Sequence, residues 1–563
     1  MQLQNSYKVN YILLFSGGLF LILLFYLPLS LVLKTALFNS NGSFTLEKII
    51  RVLSSEYNRR IITFTLFQAL LSTIFTILLG LPGAWLLATK NFPGKNLLKA
   101  VSTVPFVLPS ILVVLGFVIF FGNNGFLNKS IMSLTGKQEP LFRILYSMKA
   151  IILAHGFYNF PIVLRLVSTL WEKLDLSQAN GAMSLGANKV RLFFTITLPQ
   201  ILPAILASSA LVFVFCFTSF AVILVLGGGP AFTTIEVEIY RQARISLNMD
   251  AAAALSIVGI LITLIFVYLN VHFQSSLNYH EQIKNPKAFI RSKAKVKKNL
   301  NPGIGIYVLI IVLLVAAPVI SVIIKSFLKP GAGNDTVLSL SAYTDILTPS
   351  PGNYGITLLH AIFNSISFAS YTVILSIIMG SLVSFILRGK NKSTKILDTL
   401  FMLPISVSSV ILGLGYLKIL NYLNEPLKNS SILIILAHTV IAYPFVTRAV
   451  KPVLDKIKPE IIHAGLSLGE TPFKVFLTIE LPLIKSAVFA GGAFAFAISI
   501  GEMNATMLLS SENTLTIPIM MYRLIGSYNF TAACALGTVL IIFTSFSFIL
   551  MDYFGSDPNT GGF

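Results

Sequence analysis

Twelve long apolar runs, separated by shorter polar stretches, pattern nearly the whole chain. They fall at 11–33, 61–89, 100–121, 150–170, 201–228 and 251–272, then at 304–325, 357–387, 399–422, 431–450, 484–510 and 530–552. A helix needs about 20 mostly apolar residues to cross a bilayer. The pattern therefore predicts an all-α membrane protein with twelve transmembrane helices, of which 431–450 is the weakest on length. Pro105 and Pro109 interrupt the third run, a placement that membrane helices tolerate better than soluble ones. The first run is too long for a signal-peptide core and lacks a small-residue cleavage site. It reads as a retained helix with its N-terminus inside.

The runs divide six and six, and the two sets resemble each other. Ala154-His155-Gly156-Phe157-Tyr158-Asn159-Phe160-Pro161 returns as Ala437-His438-Thr439-Val440-Ile441-Ala442-Tyr443-Pro444, and Arg165 returns as Arg448. Upstream, Gly80 matches Gly380 and Pro105 matches Pro404. Because each set holds an even number of spans, both halves point the same way. This is a parallel repeat, with a path expected at the interface of its halves. The division predicts a first half over 1–273, a linker over 274–302 and a second half over 303–563.

Composition places the chain in the same class. Of its 563 residues 55% are hydrophobic and 11% charged, with a mean hydropathy of +0.83; a soluble domain carries about 25% charged residues. The net charge of +20 in a soluble protein would suggest nucleic acid. Here the cations lie between apolar runs, as expected of loops meeting anionic lipid headgroups, and no nucleic-acid partner is expected. With the N-terminus inside, the inside segments hold 22 Lys and Arg and the outside segments 14. Lys90, Lys95 and Lys99 crowd one inside loop, Arg388, Lys390, Lys392 and Lys395 its counterpart, and seven cations the linker. The bias places both termini in the cytoplasm. Cys216 and Cys534 lie within apolar runs, and the cysteines, histidines and acids show no metal-site spacing.

The strongest motif lies between the fourth and fifth spans of each half. Asn180-Gly181-Ala182-Met183-Ser184-Leu185-Gly186 precedes Ile196-Thr197-Leu198-Pro199; His463-Ala464-Gly465-Leu466-Ser467-Leu468-Gly469 precedes Ile479-Glu480-Leu481-Pro482 at the same spacing. Each copy reads as a short helix of small residues, a glycine free to adopt φ > 0, and a second helix ending where Pro199 or Pro482 leads into the next span. A small-residue helix on a sharp turn suits presentation to a partner's groove. An ordinary helix lying on the bilayer is the alternative, and two copies at one spacing on one side argue against it.

These segments resemble the cytoplasmic "EAA" loops of binding-protein-dependent permeases, the membrane subunits of type I ABC importers. The family pattern is Glu-Ala-Ala, three residues, Gly, nine residues, Ile-x-Leu-Pro. Gly186, Ile196, Leu198 and Pro199 fit it, as do Gly469, Ile479, Leu481 and Pro482. Asn180 and His463 stand at the Glu position; Gly181 and Ala182, and Ala464 and Gly465, stand at the two Ala positions. The resemblance covers nearly the whole chain and implies the type I permease fold in a bacterial inner membrane. It also implies two copies of a cytoplasmic ATP-binding subunit docked on the loops, and an extracytoplasmic solute-binding protein. No G-x-x-x-x-G-K-[ST] phosphate loop occurs, so ATP use falls to the partners and no cofactor is expected in this chain.

Fused two-half permeases of this family resemble its ferric-iron and thiamine branch. Leu226-Gly227-Gly228-Gly229-Pro230, Thr233-Thr234-Ile235-Glu236, and Tyr522-Arg523-Leu524-Ile525-Gly526-Ser527-Tyr528 look like the thiamine permease. The implied solute is thiamine or a related cationic heterocycle, with ferric iron beside it. Intramembrane polar residues often line a path. Glu502 and Asn504, toward the outer end of the eleventh run, and His155, Asn159, His438 and Tyr443 in the repeated fourth spans are the candidates. A carboxylate paired structurally at a helix end, and histidines bonded between helices, are the competing readings. A twelve-helix secondary transporter would share the topology and repeat but not the paired loops. A membrane enzyme would need converging catalytic groups, and none are seen.

Overall fold

A computed structural model describes residues 14–174, 176–282, 302–330, 336–347, 355–389, 392–422 and 431–555. The linker expected at 274–302 lies outside the described residues from 283 to 301. Among the described residues eleven helices are long and apolar enough to cross a membrane, or twelve if one bent pair counts as a span.

In the first half, α1 (Leu14–Leu37) and α2 (Glu56–Thr89) are followed by α3 (Lys95–Val101), α4 (Ser110–Phe121) and α5 (Met148–Glu172). Next come the short α6 (Leu176–Ser184), the long α7 (Lys189–Phe217), the short α8 (Ala221–Leu226) and α9 (Ile235–Tyr240), and α10 (Met249–Gln282). The second half opens with α11 (Pro302–Ser326), then α12 (Gly355–Ile386), α13 (Lys392–Met402), α14 (Ser409–Leu420) and α15 (Ile432–Leu454). It closes with α16 (Pro459–Ser467), α17 (Pro472–Ile500), α18 (Asn504–Leu509), α19 (Ile517–Gly526) and α20 (Phe530–Gly555). The described exception to the all-α pattern is a pair of short antiparallel strands, β1 (Leu328–Pro330) and β2 (Thr336–Leu338).

The repeat extends to packing. Gly80 on α2 lies against Val163 of α5, and Gly380 on α12 against Val446 of α15. The opening helices cross over: α1 packs on α14 of the other half, and α11 on α4. Glycine permits both crossings, because small residues let membrane helices approach closely. A Cβ at Gly116 would fall 2.9 Å from the carbonyl oxygen of Pro318, and one at Gly415 would fall 2.6 Å from that of Pro28. The α1 and α11 spans are the least enclosed, and α5 and α15 are among the most.

Three sequence expectations are corrected. The third run of each half, expected as one helix over 100–121 and 399–422, is broken. Leu108 is extended before Pro109, as the residue preceding a proline tends to be. In the second half the chain bends by 89° between 394–406 and 409–420. The fifth runs, expected over 201–228 and 484–510, break as well, between α7 and α8 and between α17 and α18. Glu502 therefore sits in a break and not inside a helix. Its carboxylate takes the backbone N–H groups of Ala505 and Thr506 at 2.9 and 3.1 Å, an example of a local side chain competing with the helix ladder. Finally, no helix ends at Pro199 or Pro482. A π turn, Phe193–Thr197 or Phe476–Glu480, precedes each proline, and the helix continues into the membrane span. A proline lacks the ladder N–H and crowds the carbonyl four residues back; the wider turn relieves both.

Candidate functional site

The two loops between the fourth and fifth spans fold alike. In the first, α6 ends in a C-terminal motif of two crossed bonds: Gly186 N–H to Met183 carbonyl at 3.0 Å and Ala187 N–H to Ala182 carbonyl at 3.0 Å. In the second, Gly469 N–H reaches Leu466 at 3.1 Å and Glu470 N–H reaches Gly465 at 3.4 Å. This is the Schellman pattern, which needs a left-handed residue after the helix; Gly186 has φ +86° and Gly469 φ +87°. A capping side chain then opens the next helix: Asn188 accepts from Arg191 N–H at 2.8 Å, and Thr471 from Lys474 N–H at 3.3 Å.

The motif residues divide into packing and exposed groups. Gly465 is buried, and a Cβ there would meet Ile479 Cδ1 at 3.0 Å. The isoleucine of the Ile-x-Leu-Pro segment thus sits under the small-residue helix in the second copy. Gln200 Nε2 donates to Gln178 Oε1 at 2.7 Å, tying α6 to α7 in the first. Asn180 and His463, at the family's Glu position, are exposed, as are Gly181, Ala464, Pro199 and Pro482; Ala182, Ile196, Leu198 and Leu481 are half-buried. The residues just before the two glycines, Leu185 and Leu468, are 90% and 85% exposed. The two large apolar side chains thus stand out from the chain at equivalent places in the repeat.

One interaction distinguishes the copies. Glu480, the variable residue of the second Ile-x-Leu-Pro, accepts from Arg388 Nη1 at 2.6 Å. Arg388 lies just beyond α12, so the ion pair ties the base of the second loop to the segment that follows α12. Thr197 occupies the corresponding place in the first copy. The signal in the sequence was an acid at the edge of an apolar run opposite a basic loop.

The intramembrane candidates form two different networks. His155 Nδ1 lies 3.0 Å from Ser72 Oγ, and Asn159 Nδ2 donates to Cys216 Sγ at 3.4 Å. In the second half His438 lies 2.8 Å from both Ser499 Oγ and Thr506 Oγ1, and 3.4 Å from Glu502 Oε2. Thr506 Oγ1 also reaches Glu502 Oε2 at 2.8 Å. Tyr443 donates to the Phe401 carbonyl, and Asn504 Nδ2 to Ser409 Oγ at 3.0 Å. Glu502, His438 and Asn504 are thus brought together at the break between α17 and α18, with every Glu502 oxygen engaged. His155 and Asn159 lie in the other half with their own partners.

Where the halves meet, the breaks face each other. A Cβ at Gly501 would touch Pro109 Cγ at 2.6 Å. Arg244 Nη2 donates to the Ser510 carbonyl at 2.9 Å, and Ser408 Oγ to Glu236 Oε2 at 2.6 Å. Glu236 ends the Thr233-Thr234-Ile235-Glu236 stretch that resembles the thiamine permease and is an acid in the otherwise largely apolar helix Ile235–Tyr240. Arg523 of α19 makes a two-point ion pair with Glu512, on the segment preceding that helix, at 2.9 and 3.0 Å. It holds that carboxyl below its ordinary range. Among the described residues no group of three or more His, Cys, Asp or Glu is placed to hold a metal ion.

A fold of two parallel six-span units, each carrying one exposed turn motif, defines a membrane permease that works through docked partners. The family model described as "Binding-protein-dependent transport system inner membrane component" matches twice, over residues 77–279 and 372–557, once in each half. The chain belongs to this family: it is the multi-pass permease of an ABC importer, acting with ATPase and solute-binding partners. The thiamine transport system permease protein of Brucella abortus (strain 2308) is 27% identical over 530 residues, covering 93% of this chain and 92% of the relative. That of Escherichia coli (strain K12) is 25% identical over 509 residues, covering 89% and 90%. A putative 2-aminoethylphosphonate transport system permease protein of Salmonella typhi is 31% identical over 241 residues, covering 43% of this chain and 83% of the relative.

Proposed function

We propose that this chain is the permease of a thiamine importer. The observation that carries the reading is likeness along nearly the full fused chain, both halves in one polypeptide, to proteins named as thiamine permeases. The phosphonate relative covers less than half of the chain and gives the weaker indication of solute.

The rest of the machine follows from the two loops. Each receives one ATP-binding subunit, which sets two copies per chain. Leu185 and Leu468 enter apolar pockets of those subunits, and the small faces of α6 and α16 allow close approach. Asn180 and His463 replace the family Glu, so docking at that position rests on hydrogen bonding and shape. Each Schellman turn is a stiff corner, and each span helix runs unbroken from it through Pro199 or Pro482. Movement of a docked subunit is thereby delivered to α7 or α17 and on to the breaks at Thr218 and Gly501. The Lys and Arg asymmetry places the loops and both termini in the cytoplasm. ATP is bound and hydrolysed by the partners, and solute arrives from an extracytoplasmic binding protein. The solute path follows the seam between the halves, bordered by Glu502 and Asn504, with His438 and Tyr443, and His155 and Asn159, as polar supports in the two central spans.

The test is purification of the tagged chain from its native membrane in mild detergent, with mass spectrometry of what accompanies it. An ATPase at about two copies per chain, and a binding protein that retains thiamine, are expected. Recovery of the folded chain alone, still binding solute, would refute the docking role of the loops. A binding protein that retains ferric iron or a phosphonate would refute the solute.

A further inference from the structure

Two buried carboxylates stand two positions apart on the six-residue helix α9, and their surroundings differ. Glu238 is saturated: Tyr57 donates to it at 3.0 Å, Gln242 Nε2 at 2.7 Å, and Arg241 lies at 3.4 Å. Glu236, fully enclosed, accepts one hydrogen bond, from Ser408 Oγ. Its Oε1 has no hydrogen-bond partner among the described residues, and neither does the hydroxyl of Thr234 two positions earlier.

The single bond that Glu236 does make crosses between the halves. Ser408 stands at the break before α14, where its hydroxyl also accepts the Val410 N–H at 3.1 Å. The helix it caps packs on α1 and α9 of the first half. Ile411 on its next turn lies against Gly259 of α10. The contact that shields Glu236 is therefore one that any parting of the halves at this break removes.

A carboxylate serving only the scaffold is expected to be satisfied, as Glu238 is. Leaving a buried acceptor unmet costs about 1–3 kcal/mol, and an unpaired charge costs more. A buried ionisable group left half-satisfied calls for an explanation, and within a membrane protein the default one is a functional site.

We propose that Glu236 contacts the solute: when the halves part at Ser408, its carboxylate, flanked by the Thr234 hydroxyl, receives a cationic heterocycle moving along the seam. This rests on the thiamine reading of the permease and adds a residue and a charge rule to it. A carboxylate attracts an organic cation and repels an anionic solute such as a phosphonate. In the closed arrangement Ser408 holds Oε2 of this carboxylate, so solute and seam compete for one group.

The experiment is uptake by the full chain with its ATPase and binding-protein partners in membrane vesicles. Two probes are used: radiolabelled thiamine, and an uncharged isostere in which carbon replaces the thiazolium nitrogen. The wild type is expected to carry thiamine in preference to the isostere. Glu236→Gln keeps shape and removes charge; it is expected to lower thiamine uptake about tenfold to a hundredfold while leaving the isostere unchanged. Equal loss of both probes, or no loss, would overturn the proposal. Glu236→Asp serves where Gln fails to assemble: it is expected to keep the preference with a raised half-saturation concentration, and an unchanged value would overturn the proposal. A wild type that carries neither probe refutes the thiamine reading, a result separable from failure of the Glu236 assignment.

Discussion

At the scale of single residues, the two loop glycines and the leucines before them give the sharpest tests. A side chain at φ near +87° costs about 1–2 kcal/mol, enough to distort a turn but not a twelve-span protein. Gly469→Val is expected to leave the amount of chain in the membrane unchanged while reducing the ATPase recovered with it; co-purification against total chain measures this. Leu468→Asp makes the complementary case. The side chain touches almost nothing in the chain itself, so thermal stability in detergent should hold while ATPase recovery falls. His438→Ala should do the reverse. It strips Glu502 and Thr506 of a buried partner, a loss of about 1–3 kcal/mol, and should lower the unfolding temperature in detergent. The motif glycines were legible in the sequence because a positive φ leaves few alternatives to glycine. The state of Glu502 was not. A buried carboxylate looks the same in sequence whether its oxygens are open or, as here, take the N–H groups that start α18 and meet a histidine from α15.

At the scale of elements, the asymmetry between the loops matters most. Arg388 and Glu480 are partly enclosed, with side-chain exposures of 29% and 11%, so the pair is worth more than a surface bridge. A double-mutant cycle of Arg388→Ala with Glu480→Ala, read as ATP-driven uptake, should give a coupling of about 0.5–3 kcal/mol. In the first half Ala88 and Thr197 stand at these places, and Thr197→Ala is expected to leave uptake unchanged. Hydropathy located every long helix, since a span is a matter of length and apolar content. It merged the third and fifth runs across their breaks, because a broken span with short apolar legs has the same composition as a straight one. Pro109 stands at one break, Ser408, whose hydroxyl accepts the Val410 N–H, at another, and Glu502, whose carboxylate takes two N–H groups, at a third. The π turns escaped notice for a related reason: a proline in a helix announces a defect in the ladder without saying how the ladder recovers.

At the scale of the whole molecule, the repeat was visible from a handful of polar and proline matches, but the exchange of first helices between the halves was not. It depends on Gly116 and Gly415 meeting backbone far away in the chain. Because α1 is held by α14 and α11 by α4, the halves should assemble without a covalent link. Co-expressed fragments 1–282 and 283–563 are expected to co-purify and restore solute uptake, while a fragment 38–282 in place of the first, left with the α4–α11 crossing, should hold the second more weakly.

The crossed helices also set an order of events during synthesis. Tyr416 donates to the carbonyl of Leu24, 392 residues earlier in the chain. The helix α1 is thus made long before its seat on α14 exists, and α4 stays without its cover until α11 arrives. A ribosome that stops between the halves leaves a product with an open groove on one helix and a bare face on another, a form that quality control can recognise. Completion of the second half closes both at once. Fusion then fixes which loop is which, so that the two docking sites are free to diverge, as Thr197 and Glu480 have done.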